Sequence, residues 1–221
     1  MIAEELINHM IPPLKPSDTS QHAKVWMEEL HCKELPVVSE GKFVGMVSEE
    51  DILETNNLQK TVGEYELGLM ECFVSSHQHF YDIIKIASNH ESELVGVVDD
   101  AGKYLGVITI QDTISSFAQT AAVQVPGGII VVAMDSRDYS LTEISRLVES
   151  NNAKILSSSI KDDLSEPGKI KLTLKINQTD LSHIVSTLER FGYKITARFQ
   201  EHSSPENSKE RIDILLKYLE I

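Results

Sequence analysis

The sequence predicts an α+β / α/β chain in three parts: a helix–strand–strand–helix unit, a second copy of it, and a βαββαβ segment followed by a C-terminal helix. Three observations carry this. The stretch GMVSEED, Gly45 to Asp51, returns as GVITIQD, Gly106 to Asp112, each position 61 residues further on. The match extends to the left, where LPVVSEGKFVG (Leu35 to Gly45) lies against VGVVDDAGKYLG (Val95 to Gly106) with one residue inserted in the turn. Beyond QVPGG, Gln124 to Gly128, the apolar pattern changes to that of a split βαβ sandwich.

In the first unit, PPLKPSDTS supplies an extended lead-in, and Asp18 marks a helix start. Ala23, Val25, Trp26, Met27 and Leu30 then recur at helical spacing. LPVV is a strand, Gly41 a turn, and the run before Ser48 a second strand. Ser48 and Asp51 form a capping box for the next helix, because the hydroxyl accepts a backbone N–H and the carboxylate reaches back. The second unit repeats the pattern. CFVSSHQHF is its lead-in, Ile83, Ile84, Ile86 and Ala87 its helix face, Gly102 its turn, and Thr109 with Asp112 its capping box. Each unit spans about 55 residues, too few to bury its apolar face alone, so the two must pack together.

Pro126 and two glycines then break the helix pattern. IIVVAM reads as a buried strand, and Ser140 with Glu143 caps a helix carrying Leu141, Ile144, Leu147 and Val148. AKILSSSI and KIKLTLKI alternate as paired strands joined through KDDLSEPG. Thr179 or Asp180 caps a second helix with Leu181, Ile184, Val185 and Leu188, Gly192 stops it, and YKITARF is the last strand. After the polar EHSSPENS, residues 208–219 place Ile212, Leu215, Leu216 and Leu219 on one helix face. The expected domains are 1–60, 61–123 and 127–200, with 201–221 a linker and C-terminal helix.

Composition limits the function. The chain has 221 residues, 41% of them hydrophobic, and a net charge of -14. That charge argues against nucleic acid, whose affinity comes largely from Lys and Arg on phosphates. No run approaches the roughly 20 apolar residues of a membrane span, and Met1 to Pro13 is unlike a signal peptide, so a cytoplasmic protein is expected. Cys32 and Cys72 have neither metal-ligand nor redox spacing. His77 and His79 start a metal site if extended, yet no third ligand is evident, and a solvent-facing pair or a phosphate donor is the alternative. No nucleophile elbow, phosphate-cradling glycine loop or paired-His helix is present, so no enzyme is expected.

The two copies ending in GMVSEED and GVITIQD resemble cystathionine-β-synthase (CBS) domains, which pair into a Bateman module. The βαββαβ segment, with NNAKI after its first helix, resembles the ferredoxin-like ACT domain. Their order is similar to that of the bacterial acetoin-utilisation CBS-ACT proteins. The resemblance implies a regulatory, allosteric protein binding an adenosine-containing nucleotide (AMP, ADP, ATP or S-adenosylmethionine) in the cleft of the CBS pair, with no cofactor and no metal. Carried onto this sequence, it nominates Asp51 and Asp112 for the ribose hydroxyls and Ser48 and Thr109 for the phosphate end, with adenine near Leu14 to Pro16 and Val74 to Ser76. The alternative is a structural or interaction protein with an empty cleft and a dimerising ACT domain.

Two departures bear on this. Glu49-Glu50 and Ile110-Gln111 stand where nucleotide-binding copies often carry a basic residue, so the first motif opposes a phosphate. In DSRDYSL, Asp138 and Tyr139 stand where Pro and Gly are common, which favours a dimerising ACT domain over an amino-acid sensor. Stacked repeats leave apolar helix faces, and the C-terminal stripe adds another, so a homodimer is expected. Light scattering at micromolar concentration checks it: twice the chain mass is the expected result, and a single chain mass refutes it.

Overall fold

The computed structural model describes residues 1–55 and 57–200; the stripe of Ile212, Leu215, Leu216 and Leu219 lies outside the described residues. Helix α1 (Ser20–Leu30) starts where Thr19 Oγ1 accepts from His22 N at 3.3 Å. Asp18 is not the cap: its carboxylate accepts from Lys15 N at 2.7 Å and turns the lead-in instead. The helix ends at His31, left-handed at φ 54, whose N–H returns to Met27 O. Strands β1 (Glu34–Ser39) and β2 (Lys42–Ser48) pair around Gly41, and helix α2 (Glu49–Thr55) follows.

The second repeat reproduces these details in β3 (Phe73–Ser75), α3 (Phe80–His90), β4 (Leu94–Val98), β5 (Tyr104–Thr109) and α4 (Ile110–Ala118). His79 takes the place of Thr19 as cap, and Glu91 (φ 53) that of His31. Gly102 (φ 77) turns the hairpin as Gly41 (φ 79) does, and both hairpins slip register at matching positions, Val37/Val38 and Val97/Val98. A parallel bridge from Leu14 to Val37 gives β1 the neighbour that β3 gives β4. On the helix faces Ala23, Met27, Ile83 and Ala87 are buried, whereas Val25 and Ile84 face solvent.

Each repeat is completed by the segment that leads into the other. Residues 2–8 run along the second repeat, where Ile2 bridges His79, Asn8 bridges Val107, and Ala3 N and Glu4 N donate to Gln78 O and Ser76 O. Residues 61–68 run along the first, where Thr61 bridges Thr19, Gly68 bridges Met46, and Gly63 N donates to Pro16 O. The crossings pass over the two motif glycines. A Cβ on Gly45 (φ 139) would meet Gly68 O at 2.7 Å, and one on Gly106 would run into the Ile7 side chain. One core therefore serves both repeats, from Ala3 and Leu14 through Met46 and Ile83 to Ile108.

Two contacts fasten the repeats side by side. Phe43 packs its ring 6.0 Å from that of Phe73 and 6.4 Å from that of Tyr104, while Tyr104 N donates to Gly41 O. Elsewhere Glu34 Oε1 accepts from Ser92 Oγ, from Glu93 N at 3.1 Å and from Leu94 N at 3.2 Å, at the start of β4. Burial raises the Glu34 carboxyl above its ordinary pKa, and these hydrogen bonds only partly counter it.

A second compact unit begins at Ala118. After the short helix α5 (Ala121–Gln124) come β6 (Gly128–Asp135), α6 (Leu141–Glu149), β7 (Ile155–Asp162), β8 (Lys169–Ile176), α7 (Ser182–Arg190) and β9 (Lys194–Phe199). The elements follow the βαββαβ order, and the sheet order is β7-β8-β6-β9 with every pairing antiparallel. Alternation in β8 sends Ile170, Leu172, Leu174 and Ile176 to the helix side, against Ile144, Leu147 and Val148 of α6 and Ile184 and Leu188 of α7. Leu141 stays half outside this core. Ser140 caps α6 by accepting from Glu143 N, and Asp180 Oδ1 accepts from Ser182 N at the start of α7. Among the described residues no helix is long and apolar enough to cross a membrane.

The crossing predicts that Gly45→Ala destabilises the protein by ~1–3 kcal/mol, because a positive-φ residue must carry a methyl group against a carbonyl oxygen. Gly106→Ala, which meets a side chain that can shift, costs less; a urea midpoint for Gly45→Ala equal to that of the wild type refutes the argument. A raised folded-state pKa makes the Glu34 contribution fully present below the unfolded pKa and lost as pH rises through the folded one. Glu34→Gln lacks that loss. Stability measured from pH 4 to 8 should therefore show the variant gaining on the wild type as pH rises, and a pH-independent difference contradicts it.

Candidate functional site

The four sequence-nominated residues sit at the two strand-to-helix junctions, and the fold brings them together in pairs. Thr109 Oγ1 donates to Asp112 Oδ2 at 2.7 Å and accepts from Asp112 N at 2.8 Å. Ser48 Oγ donates to Asp51 Oδ2 at 2.5 Å and accepts from Asp51 N at 3.1 Å. Ser48 N also donates to Asp51 Oδ2 at 3.2 Å, which closes the capping box there; at the second junction Thr109 caps through its hydroxyl. Both hydroxyl protons are committed to the aspartates, so neither hydroxyl stands ready to donate to a phosphate. Each aspartate keeps its Oδ1 without a hydrogen-bond partner among the described residues.

The pairs serve different cavities. Thr109 and Asp112 line one of about 570 Å³, together with Asn8, Met10 and Ile11 from the lead-in, Leu30 to Cys32 at the end of α1, and Glu93, Leu94, Ile110 and Gln111. Ser48 lines one of about 270 Å³ with Lys33, Glu34, Glu49, Glu50, Glu91 and Glu93, and Asp51 is not on its wall. The repeat relates the two: Thr109 matches Ser48, Ile110 and Gln111 match Glu49 and Glu50, and His31, Leu94 and Glu93 match Glu91, Glu34 and Lys33. One cavity is therefore largely apolar and the other acidic.

A further difference comes from the crossing segments. Asn8 N donates to Val107 O as Gly68 N donates to Met46 O, so Asn8 and Gly68 occupy matching places. Asn8 Nδ2 also donates to Asp112 Oδ2 at 2.8 Å, whereas a glycine has no side chain to offer Asp51. Sequence reasoning missed Asn8, Met10, Ile11, Leu30, Cys32 and Leu94, because they come from other elements than the motif. The resemblance implies adenine near Leu14 to Pro16 and Val74 to Ser76. Leu14 and Val74 are buried in the sheets, and residues 13–17 border a separate cavity of about 430 Å³ with Val38 to Gly41.

The other polar candidates find local roles. His77 Nε2 lies 3.0 Å from Asp100 Oδ1, while His79 caps α3, so the two imidazoles do not converge. Among the described residues no three His, Cys, Asp or Glu side chains are grouped to hold a metal. Burial pushes the Cys72 thiol up to about 11, and it donates to Leu94 O. The Cys32 thiol is raised first by burial and then by the carboxylates of Glu93 and Glu34. In the second unit a cavity of about 430 Å³ is lined by Asp135, Asp138, Glu143, Asp163, Glu166, Lys169, Tyr193 and Lys194. The Ser165 hydroxyl and the Lys171 ammonium hold the Asp163 carboxyl well below the usual range. Tyr139 is off that wall, packed against the core.

The family model described as the CBS domain matches residues 3–56. Among solved structures the chain is similar to a CBS domain pair/ACT domain protein from Thermotoga maritima, at 21% identity over 54% of this chain and 98% of that one, with a TM-score of 0.50. It is also similar to the CBS domains of a transcriptional regulator from Streptococcus pneumoniae (19% identity, 52% and 98% covered, TM-score 0.47) and to CBSX2 in complex with AMP (20%, 53% and 96%, 0.46). Residues 3–56 are thus matched as a CBS domain, the sheet-and-helix unit is repeated after them, and the first half of the chain carries the fold of a CBS domain pair.

Proposed function

We propose that the chain is a non-catalytic regulatory module that senses an adenosine-containing small molecule between its two CBS repeats, with residues 127–200 an ACT domain that dimerises rather than binds an amino acid. The carrying observation is the Thr109–Asp112 pair, whose Asp112 Oδ1 is left as an acceptor beside a cavity of about 570 Å³ walled by Met10, Ile11, Leu30, Leu94 and Ile110. A ribose hydroxyl can donate to that oxygen while a flat base packs on the apolar wall, and small-molecule sites typically measure about 300–1,000 Å³. The wall takes Leu30 to Cys32 from one repeat and Thr109 to Asp112 from the other. A ligand there favours one angle between the repeats, which is the signal such a module can pass on.

For the ACT reading, the support is the sheet order together with Tyr139 packed against the core; the cavity nearby is lined by five carboxylates and two lysines, a negative excess that disfavours the carboxylate of an amino acid. The alternative is a structural protein with an empty cleft; what favours it is that both motifs already cap helices. Thermal-shift measurements with adenosine, AMP, ADP, ATP and S-adenosylmethionine separate the two, since a ligand at a hundred times its Kd adds ~2.7 kcal/mol.

Calorimetry with adenosine then locates the site. Asp112→Asn should cost ~1.5–3 kcal/mol of binding, the worth of a hydrogen bond to a charged group, and Asp51→Asn should cost less. The reverse order of losses moves the site to the first motif.

A further inference from the structure

We infer that the cavity beside Thr109 and Asp112 selects a nucleoside whose 5′ group is uncharged or cationic and discriminates against phosphorylated forms. This rests on the reading of that cavity as a nucleoside site, and it narrows the ligand class. Three independent features of the wall carry it.

The first is charge. Glu93 and Asp112 line the cavity, and among the described residues its wall holds no Lys or Arg. Lys33 reaches Glu93 at 3.8 Å but stands on the wall of the acidic cavity, largely in solvent. His31 is the one imidazole among the described lining residues.

The second feature is the state of the hydrogen-bond donors. A helix start ordinarily offers free N–H groups to an anion. At α4, Ile110 N donates to Glu93 O at 3.0 Å and Asp112 N to Thr109 Oγ1 at 2.8 Å, so two of the first three are already engaged. The Thr109 proton goes to Asp112 Oδ2, as does one amide hydrogen of Asn8. Free neutral donors remain on Asn8 and Gln111, enough to orient a base or a hydroxyl, with no full positive charge to balance a phosphate.

The third is the body of the wall. Met10, Ile11, Leu30, Cys32, Leu94 and Ile110 surround those polar groups. Apolar surroundings strengthen repulsion between like charges, and they also strengthen attraction between a carboxylate and a ligand cation. A sulfonium or ammonium group placed near Asp112 or Glu93 gains what a phosphate loses.

The test is calorimetry on the full chain at pH 8 with adenosine, S-adenosylmethionine, AMP and ATP as probes. Adenosine or S-adenosylmethionine should bind tightest, AMP roughly fivefold or more weaker than adenosine, and ATP weaker still. Added salt should narrow the gap between adenosine and AMP by screening the repulsion. Gln111→Lys, which puts an ammonium on this wall, should raise the ratio of AMP to adenosine affinity roughly tenfold. If ATP or AMP binds as tightly as adenosine, the nucleoside site stands and the charge selectivity is overturned. If none of the four probes binds, the nucleoside site itself is refuted, and the selectivity falls with it.

Discussion

The first unit depends on two close backbone crossings. Residues leading into one repeat must lie across the sheet of the other, and they can do so because Gly45 and Gly106 leave nothing above the backbone there. Each crossing supplies hydrogen bonds that a lone repeat would lack, Asn8 N to Val107 O and Gly68 N to Met46 O. The two helix–strand–strand–helix units therefore share one core and fold as one body. The glycine in each motif is explained by this packing alone.

The same crossings build the candidate site. With Ile7 seated over Gly106, the next residue, Asn8, falls within 2.8 Å of Asp112, and Met10 and Ile11 close the apolar wall. At the matching crossing the chain offers Gly68, and the lead-in adds nothing to the acidic cavity wall. The repeats are alike in backbone down to their left-handed helix ends, His31 and Glu91, yet they present different chemistry. Backbone symmetry is set by turns, caps and strand register; the character of each cavity is set by a few side chains that this symmetry leaves free to differ.

That division explains how much was legible in the sequence. The duplicated unit, the two hairpin glycines and the βαββαβ order were readable because they rest on local periodicity and turn chemistry. The motif pairs were readable as caps for the same reason, since Ser48–Asp51 and Thr109–Asp112 are contacts between residues three apart. Helix starts were less secure: Asp18 and Thr19 both carry cap chemistry, and the competing turn at Lys15 decides between them. The cavity walls were out of reach. Asn8 meets Asp112 across 104 residues of chain, and no pattern along the sequence announces a contact fixed by the crossing at Gly106.

Capping leaves the same aspartate able to accept from a ligand hydroxyl, because a carboxylate has two oxygens. At Asp112 the cap and Asn8 hold Oδ2, which fixes the rotamer and points Oδ1 in one direction. An acceptor already fixed loses little side-chain freedom when a hydroxyl docks on it, so the cap pre-organises the site. The cap is needed for the helix whether or not anything binds. A Ser/Thr-x-x-Asp junction is therefore weak grounds for a ligand by itself. What differs between the two repeats lies away from the capping pair itself, at Asn8 against Gly68, Ile110 and Gln111 against Glu49 and Glu50, and Leu94 against Glu34.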